Sequence, residues 1–206
     1  FEIAQQNTYP EFISLIESCI KFTEQYTINQ NNIIIGHSAG ATGVIDALNN
    51  IVKKEEKVHI DSVMLFAPWV SAEWFEVFKQ TVYKRCESNH FENPHKILPI
   101  VNILNQSTKP SYVSIMPKFI NDMLEYPFRP DLMNQWNTYI TIVAGEKDRK
   151  ADPVCIQKRF EELQKQPNRN LFKFIILPNA RHSFLHIYEN NQSVISLIKS
   201  QRKKVR

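Results

Sequence analysis

Apolar positions in this chain recur at two different spacings. From Glu11 to Tyr26 they follow a helical period, placing Phe12, Leu15, Ile16, Cys19 and Ile20 on one face after a Tyr9-Pro10 start. Asn32-Ile33-Ile34-Ile35 reads as a short buried strand, and Ala41 to Val52 returns to the helical pattern. The charged connection Lys53 to Lys57 leads to a second buried strand, Ser62 to Phe66, stopped by Pro68. Thr138 to Ala144 predicts a third strand, ending at Gly145, and Asp152 to Gln166 a helix with Pro153 in its first turn. Leu171 to Leu177 predicts a fourth strand, stopped by Pro178, and a last helix runs from about Asn191 into a basic tail. Strands alternating with helices imply an α/β architecture with a mostly parallel sheet and flanking helices.

One stretch breaks the alternation. Between Trp69 and Asn137 no good strand is visible, only helix-like pieces at Ala72 to Arg85, His95 to Leu104 and Tyr112 to Leu124, separated by prolines. The reading is a core made of residues 1–68 and 138–206, interrupted by a helical cap at 69–137. The cap is rich in large apolar side chains. Most would glue it to itself and to the sheet; Trp69, Trp74, Phe119 and Met123 are the candidates for lining an apolar substrate slot.

Composition narrows the function classes. The formal net charge of +4 comes from the tail, where Lys199, Arg202, Lys203, Lys204 and Arg206 follow the last acid, Glu189. The remainder is close to neutral, which removes the case for a nucleic-acid-binding face. The tail itself reads as a solvated helix end, with an anionic lipid contact as the lesser alternative. Cys19, Cys86 and Cys155 show no paired spacing, so neither a disulfide framework nor a zinc site is indicated, and they read as small core residues. No apolar run reaches membrane-spanning length. The chain opens on Phe1, without an initiator Met or signal peptide, and is read as a fragment. Its compartment stays open; the unpaired cysteines favour the cytoplasm.

Chemistry enters through glycine. The chain has only four, and three frame one serine: Gly36-His37-Ser38-Ala39-Gly40, then Gly43. Average usage of about 7% would supply far more, so glycine is kept here where little else fits. A serine on a sharp turn between a strand and a helix is a nucleophile elbow. The turn should strain Ser38, and the flanking glycines should let the strand and helix backbones close around it. A serine hydroxyl needs a base, and the base works best when a carboxylate orients it. Asp148 lies just past the third strand and His182 just past the fourth, where parallel sheets gather functional groups. Asp152 is the rival acid, although its place before Pro153 suits a helix cap. His186 is the rival base. His37 reads as a structural neighbour whose side chain points away from that of Ser38. His59, His90 and His95 have no acid or serine context, and no metal or cofactor motif is present.

With Gly36 to Gly40, Gly145 to Asp148 and the His182 loop in the order Ser, Asp, His, the sequence resembles a serine esterase or lipase of the α/β-hydrolase superfamily. The resemblance covers essentially the whole chain, with 69–137 where that family inserts its lids. It implies that Ser38 attacks an acyl carbonyl, that His182 is general base and then acid, and that Asp148 orients the imidazole. The backbone N–H of Ala39 would be one oxyanion donor. The implied partner is a small-molecule or lipid ester, with no cofactor and no nucleic acid. A peptidase on the same residues, or a silent scaffold binding a partner, are the alternatives. The family fold has four strands ahead of the nucleophile strand, so the resemblance implies a partial fold, a second oxyanion donor supplied from upstream, and a chain that is inactive or poorly soluble alone.

Overall fold

The computed structural model describes residues 8–26, 32–68, 129–167, 171–184 and 188–204. The chain divides into two compact units. One comprises 1–14 and 71–127, the other 15–70 and 128–206. All four described strands belong to the second unit: β1 (Ile33–His37), β2 (Ser62–Phe66), β3 (Tyr139–Gly145) and β4 (Phe172–Leu177). They form one parallel sheet in the simple order β1-β2-β3-β4. The register pairs Ile33 with Ser62, Ser62 with Tyr139, and Ile140 with Phe172, so every carboxyl end emerges at the same edge.

The burial follows the strand order. β2 is buried along its whole length and β3 from Ile140 onward, as continuous apolar runs flanked by neighbours on both sides require. β1 and β4, at the ends of the described sheet, are only partly covered; Ile35 and Ile176 are exposed.

The helices are α1 (Tyr9–Tyr26), α2 (Ala39–Lys53), a short α3 (Pro130–Met133) continued by a 3-10 turn at Asn134–Trp136, α4 (Pro153–Gln164) and α5 (Tyr188–Lys204). α2 packs on β1 and on α3, and α4 on β3 and β4. Buried Leu132 and Met133 anchor α3, and the Trp136 indole N–H donates to Asn49 Oδ1 of α2 at 3.1 Å. The sequence reading contained no helix at 130–136, because so short a Pro-led turn carries no periodicity. The three helix-like pieces of 69–137 lie outside the described residues.

The face of α1 departs from expectation. Tyr9, Ile13, Glu17 and Ile20 are buried, whereas Leu15 is half exposed and Cys19 exposed. The cause is Glu17, whose acid disguises the true stripe. Its carboxylate accepts from Asn50 Nδ2 at 3.0 Å and from Lys54 Nζ at 2.6 Å, and those partners make its burial tolerable. The same bond holds the Lys54 ammonium above its usual pKa. Cys19 is therefore not a core residue; Cys155 is half-buried, and Cys86 lies outside the described residues.

Candidate active site

Ser38 is the single residue between β1 and α2. Its backbone takes φ 55° and ψ −128°, a left-handed conformation costly for a residue with a Cβ, on the order of 1–3 kcal/mol. The surroundings hold it there. Ser38 N–H donates to Phe66 O at 2.9 Å, tying the turn to the end of β2, while Ser38 O accepts from Ala41 N–H at 2.9 Å and Thr42 N–H at 3.1 Å. Gly36 is required by closeness, since a Cβ there would sit 2.6 Å from the Ala41 Cα. Gly40 differs from expectation. A Cβ there would meet nothing within 4 Å among the described residues, so of the two glycines flanking Ser38 only Gly36 is needed for strand and helix to close.

The next loop follows β3. Asp148 N–H donates back to Gly145 O at 3.1 Å, and the Asp148 carboxylate turns inward, its side chain fully buried. Oδ1 accepts from the backbone N–H groups of Lys150 and Ala151, at 2.8 and 3.0 Å. Those donors compensate the buried charge and leave Oδ2 for a different partner.

That partner arrives from the loop after β4. Phe184 N–H donates to Arg181 O at 3.0 Å, closing a turn with His182 and Ser183 at its centre. Phe184 has φ 56° and is buried, with its ring edge-on to Phe66 at 5.5 Å. His182 Nδ1 lies 2.8 Å from Asp148 Oδ2, and His182 Nε2 lies 2.8 Å from Ser38 Oγ. A carboxylate can only accept, so Nδ1 carries the proton and Nε2 offers its lone pair to the Ser38 hydroxyl. The result is an uninterrupted hydroxyl–imidazole–carboxylate relay at the carboxyl edge of the sheet. It can draw a proton from a serine and stabilise the imidazolium formed.

Backbone ladders continue beyond the strands and lock the acid loop to the imidazole loop. Glu146 N–H donates to Leu177 O at 3.0 Å and Lys147 N–H to Ala180 O at 2.9 Å. The Glu146 carboxylate accepts from Asn179 N–H at 2.7 Å, helping to fix Asn179 at φ 57°. At Gly145 an added Cβ would sit 2.6 Å from Ala180 O, so no side chain fits between the loops. The sequence places Glu146, Asn179 and Phe184 in the two loops but gives them no role, and it marks Gly145 as the strand end and the first residue of the Gly-x-x-Asp pattern.

The remaining candidates separate clearly. Ala39 opens α2, where backbone N–H groups have no acceptor one turn back. Asp152 is the N-cap of α4, its Oδ1 accepting from Val154 N–H at 3.3 Å, and takes no part in the relay. His37 Nε2 bonds the His182 carbonyl oxygen at 2.7 Å. His59 does have an acid beside it: its Nε2 lies 3.3 Å from Asp61 Oδ1, so the expectation that it lacked one was wrong. His90, His95, His186, Trp69, Trp74, Phe119 and Met123 lie outside the described residues. Among the described residues no cluster of His, Cys, Asp or Glu could hold a metal ion, and no helix is long and apolar enough to cross a membrane.

No protein-family model and no curated protein sequence matches the chain. Solved structures do. The chain is similar to a protein assigned as a non-heme bromoperoxidase, BpoC, from Mycobacterium tuberculosis H37Rv, at TM-score 0.62 and 12% identity over 98% of this chain and 76% of that one. An esterase from Thermogutta terrifontis matches at TM-score 0.57 and 15% identity, over 97% and 73% of the two chains. This chain carries an α/β-hydrolase fold. A Paleococcus ferrophilus monoacylglycerol lipase aligns in the same way, at TM-score 0.55 and 15% identity over 96% and 76%. In this α/β-hydrolase fold, Ser38, Asp148 and His182 come from the loops after β1, β3 and β4.

Proposed function

We propose that the protein is a serine hydrolase that cleaves carboxylic esters through an acyl-enzyme. The observation that carries the reading is the pair of 2.8 Å contacts joining Ser38 Oγ to His182 Nε2 and His182 Nδ1 to Asp148 Oδ2. The esterase and lipase among the similar structures point to the ester class.

In this reading Ser38 Oγ attacks the acyl carbonyl carbon while its proton passes to His182 Nε2. The carbonyl oxygen becomes an oxyanion, stabilised by the Ala39 N–H at the start of α2; one such donor is worth about 3–4 kcal/mol. The tetrahedral species collapses as the imidazolium protonates the leaving alkoxide. Water then repeats the sequence on the acyl-enzyme, with His182 again as base. Asp148 holds the imidazole in the tautomer each step needs. Its own position is set by the Lys150 and Ala151 amides.

The test is covalent. A fluorophosphonate probe should label the wild-type chain at Ser38, and Ser38→Ala should abolish the label. p-Nitrophenyl esters of graded acyl length should be hydrolysed, and peptide substrates left intact. Absence of labelling in the folded wild type overturns the enzymatic reading; cleavage of peptides alone replaces the ester class with the amide class.

A further inference from the structure

His37 is not a member of the relay, yet it touches the relay's base. Its Nε2 lies 2.7 Å from the His182 carbonyl oxygen, and its ring centroid is 5.1 Å from that of His182. A carbonyl oxygen has no proton to give, so His37 must donate, which fixes the Nε2-protonated form of its ring. The same ring meets Phe184 edge-on, with centroids 5.9 Å apart. One exposed side chain at the end of β1 therefore grips two residues of the loop after β4, across the breadth of the described sheet.

We infer that His37 is a positioning residue, holding the His182 backbone so that its ring faces Ser38 and Asp148 together. This rests on the hydrolase reading above. Among the described residues the loop is also held at its base by the ladder from Glu146 and Lys147, across its turn by the Phe184 N–H to Arg181 O bond, and at Phe184 by that buried ring. The Phe184 N–H to Arg181 O bond spans the turn without engaging its central peptide, the one after His182, and a rotation of that peptide would swing the imidazole. The His37 bond is made to that peptide's carbonyl. His37 is also the residue immediately before Ser38, so nucleophile and base are referenced to the same strand end. Two functional atoms that must meet at 2.8 Å gain from sharing one reference.

The experiment compares three variants in the full chain, reading fluorophosphonate labelling at Ser38 and p-nitrophenyl butyrate hydrolysis. His37→Phe keeps a flat ring against Phe184 but has no donor; it should lower the labelling rate and kcat about tenfold, with KM unchanged within about twofold. His37→Gln places an amide N–H near the former Nε2 and should restore both to within about threefold of wild type. His37→Asn, one methylene shorter, should stay as slow as the Phe variant, and it decides the matter if the Phe variant does not fold. Wild-type rates in the Phe or Asn variants, or no recovery in the Gln variant, overturn the inference. Histidine ¹⁵N spectra of the wild type read the His37 tautomer without any turnover; an Nδ1-protonated neutral ring also overturns it. If the folded wild type takes no label, the hydrolase reading fails, and the tautomer measurement still judges the His37 bond separately.

Discussion

A histidine stands beside an aspartate at both ends of this parallel sheet. At the carboxyl end, His182 and Asp148 are 2.8 Å apart, with side chains 16% and 0% exposed. At the amino end, His59 and Asp61 are 3.3 Å apart, and the His59 side chain is 71% exposed. Residue types match, but surroundings do not. Asp148 is gripped by two backbone amides, and its imidazole continues to a strained serine. Asp61 instead serves the chain: its Oδ2 accepts from Asn32 N–H at 2.7 Å, and its backbone joins the starts of β1 and β2. Water screens the His59 end of the outer pair, while the Asp61 side chain is 12% exposed; a pair open to solvent at its imidazole contributes about 0–1 kcal/mol. The comparison separates a pair whose imidazole is open to water from one whose imidazole is largely withdrawn from it and has a hydroxyl on its far nitrogen.

The sharpest break of this contrast is Asp148→Asn. It preserves the size of the side chain but lets the imidazole take the wrong tautomer, so kcat for ester hydrolysis should fall about 10⁴-fold with the fold intact. Steady-state kinetics beside circular dichroism check it, and retention of more than a tenth of the rate would remove Asp148 from the relay. Gly145→Ala comes next. Its Cβ would press on the Ala180 carbonyl, a backbone atom that cannot swing aside. We expect a loss of about 1–3 kcal/mol in chemical denaturation and up to about 10²-fold in kcat as the His182 loop moves. Smallest should be His59→Ala, which should leave kcat unchanged and stability within about 1 kcal/mol. A large loss of rate there would erase the distinction between the two pairs.

The three side chains that hydrogen bonds bring together were legible in the sequence because each sits in a local signal at a strand end. Gly36 to Gly40 marks a turn, and Asp148 and His182 closely follow apolar runs. α4 was equally plain, since Asp152-Pro153 caps and opens a helix in one dipeptide. What escaped depends on distant parts meeting. Nothing in the sequence signals the burial of Glu17, because its partners, Asn50 and Lys54, arrive from beyond its own helix. His37 looked idle because the carbonyl it binds belongs to a loop near the other end of the chain. Gly40 misled in the opposite sense: the motif suggested crowding on both sides of Ser38, and only Gly36 meets it.

β2 and β3 lie side by side although residues 67–138 run between them. Closing so long an excursion is cheap to lengthen further, since each doubling of a connection adds only about 0.6 kcal/mol. Added length in that connection therefore costs the parallel pairing of β2 with β3 little, and the register that brings Ser38, Asp148 and His182 to one edge can outlast insertions there.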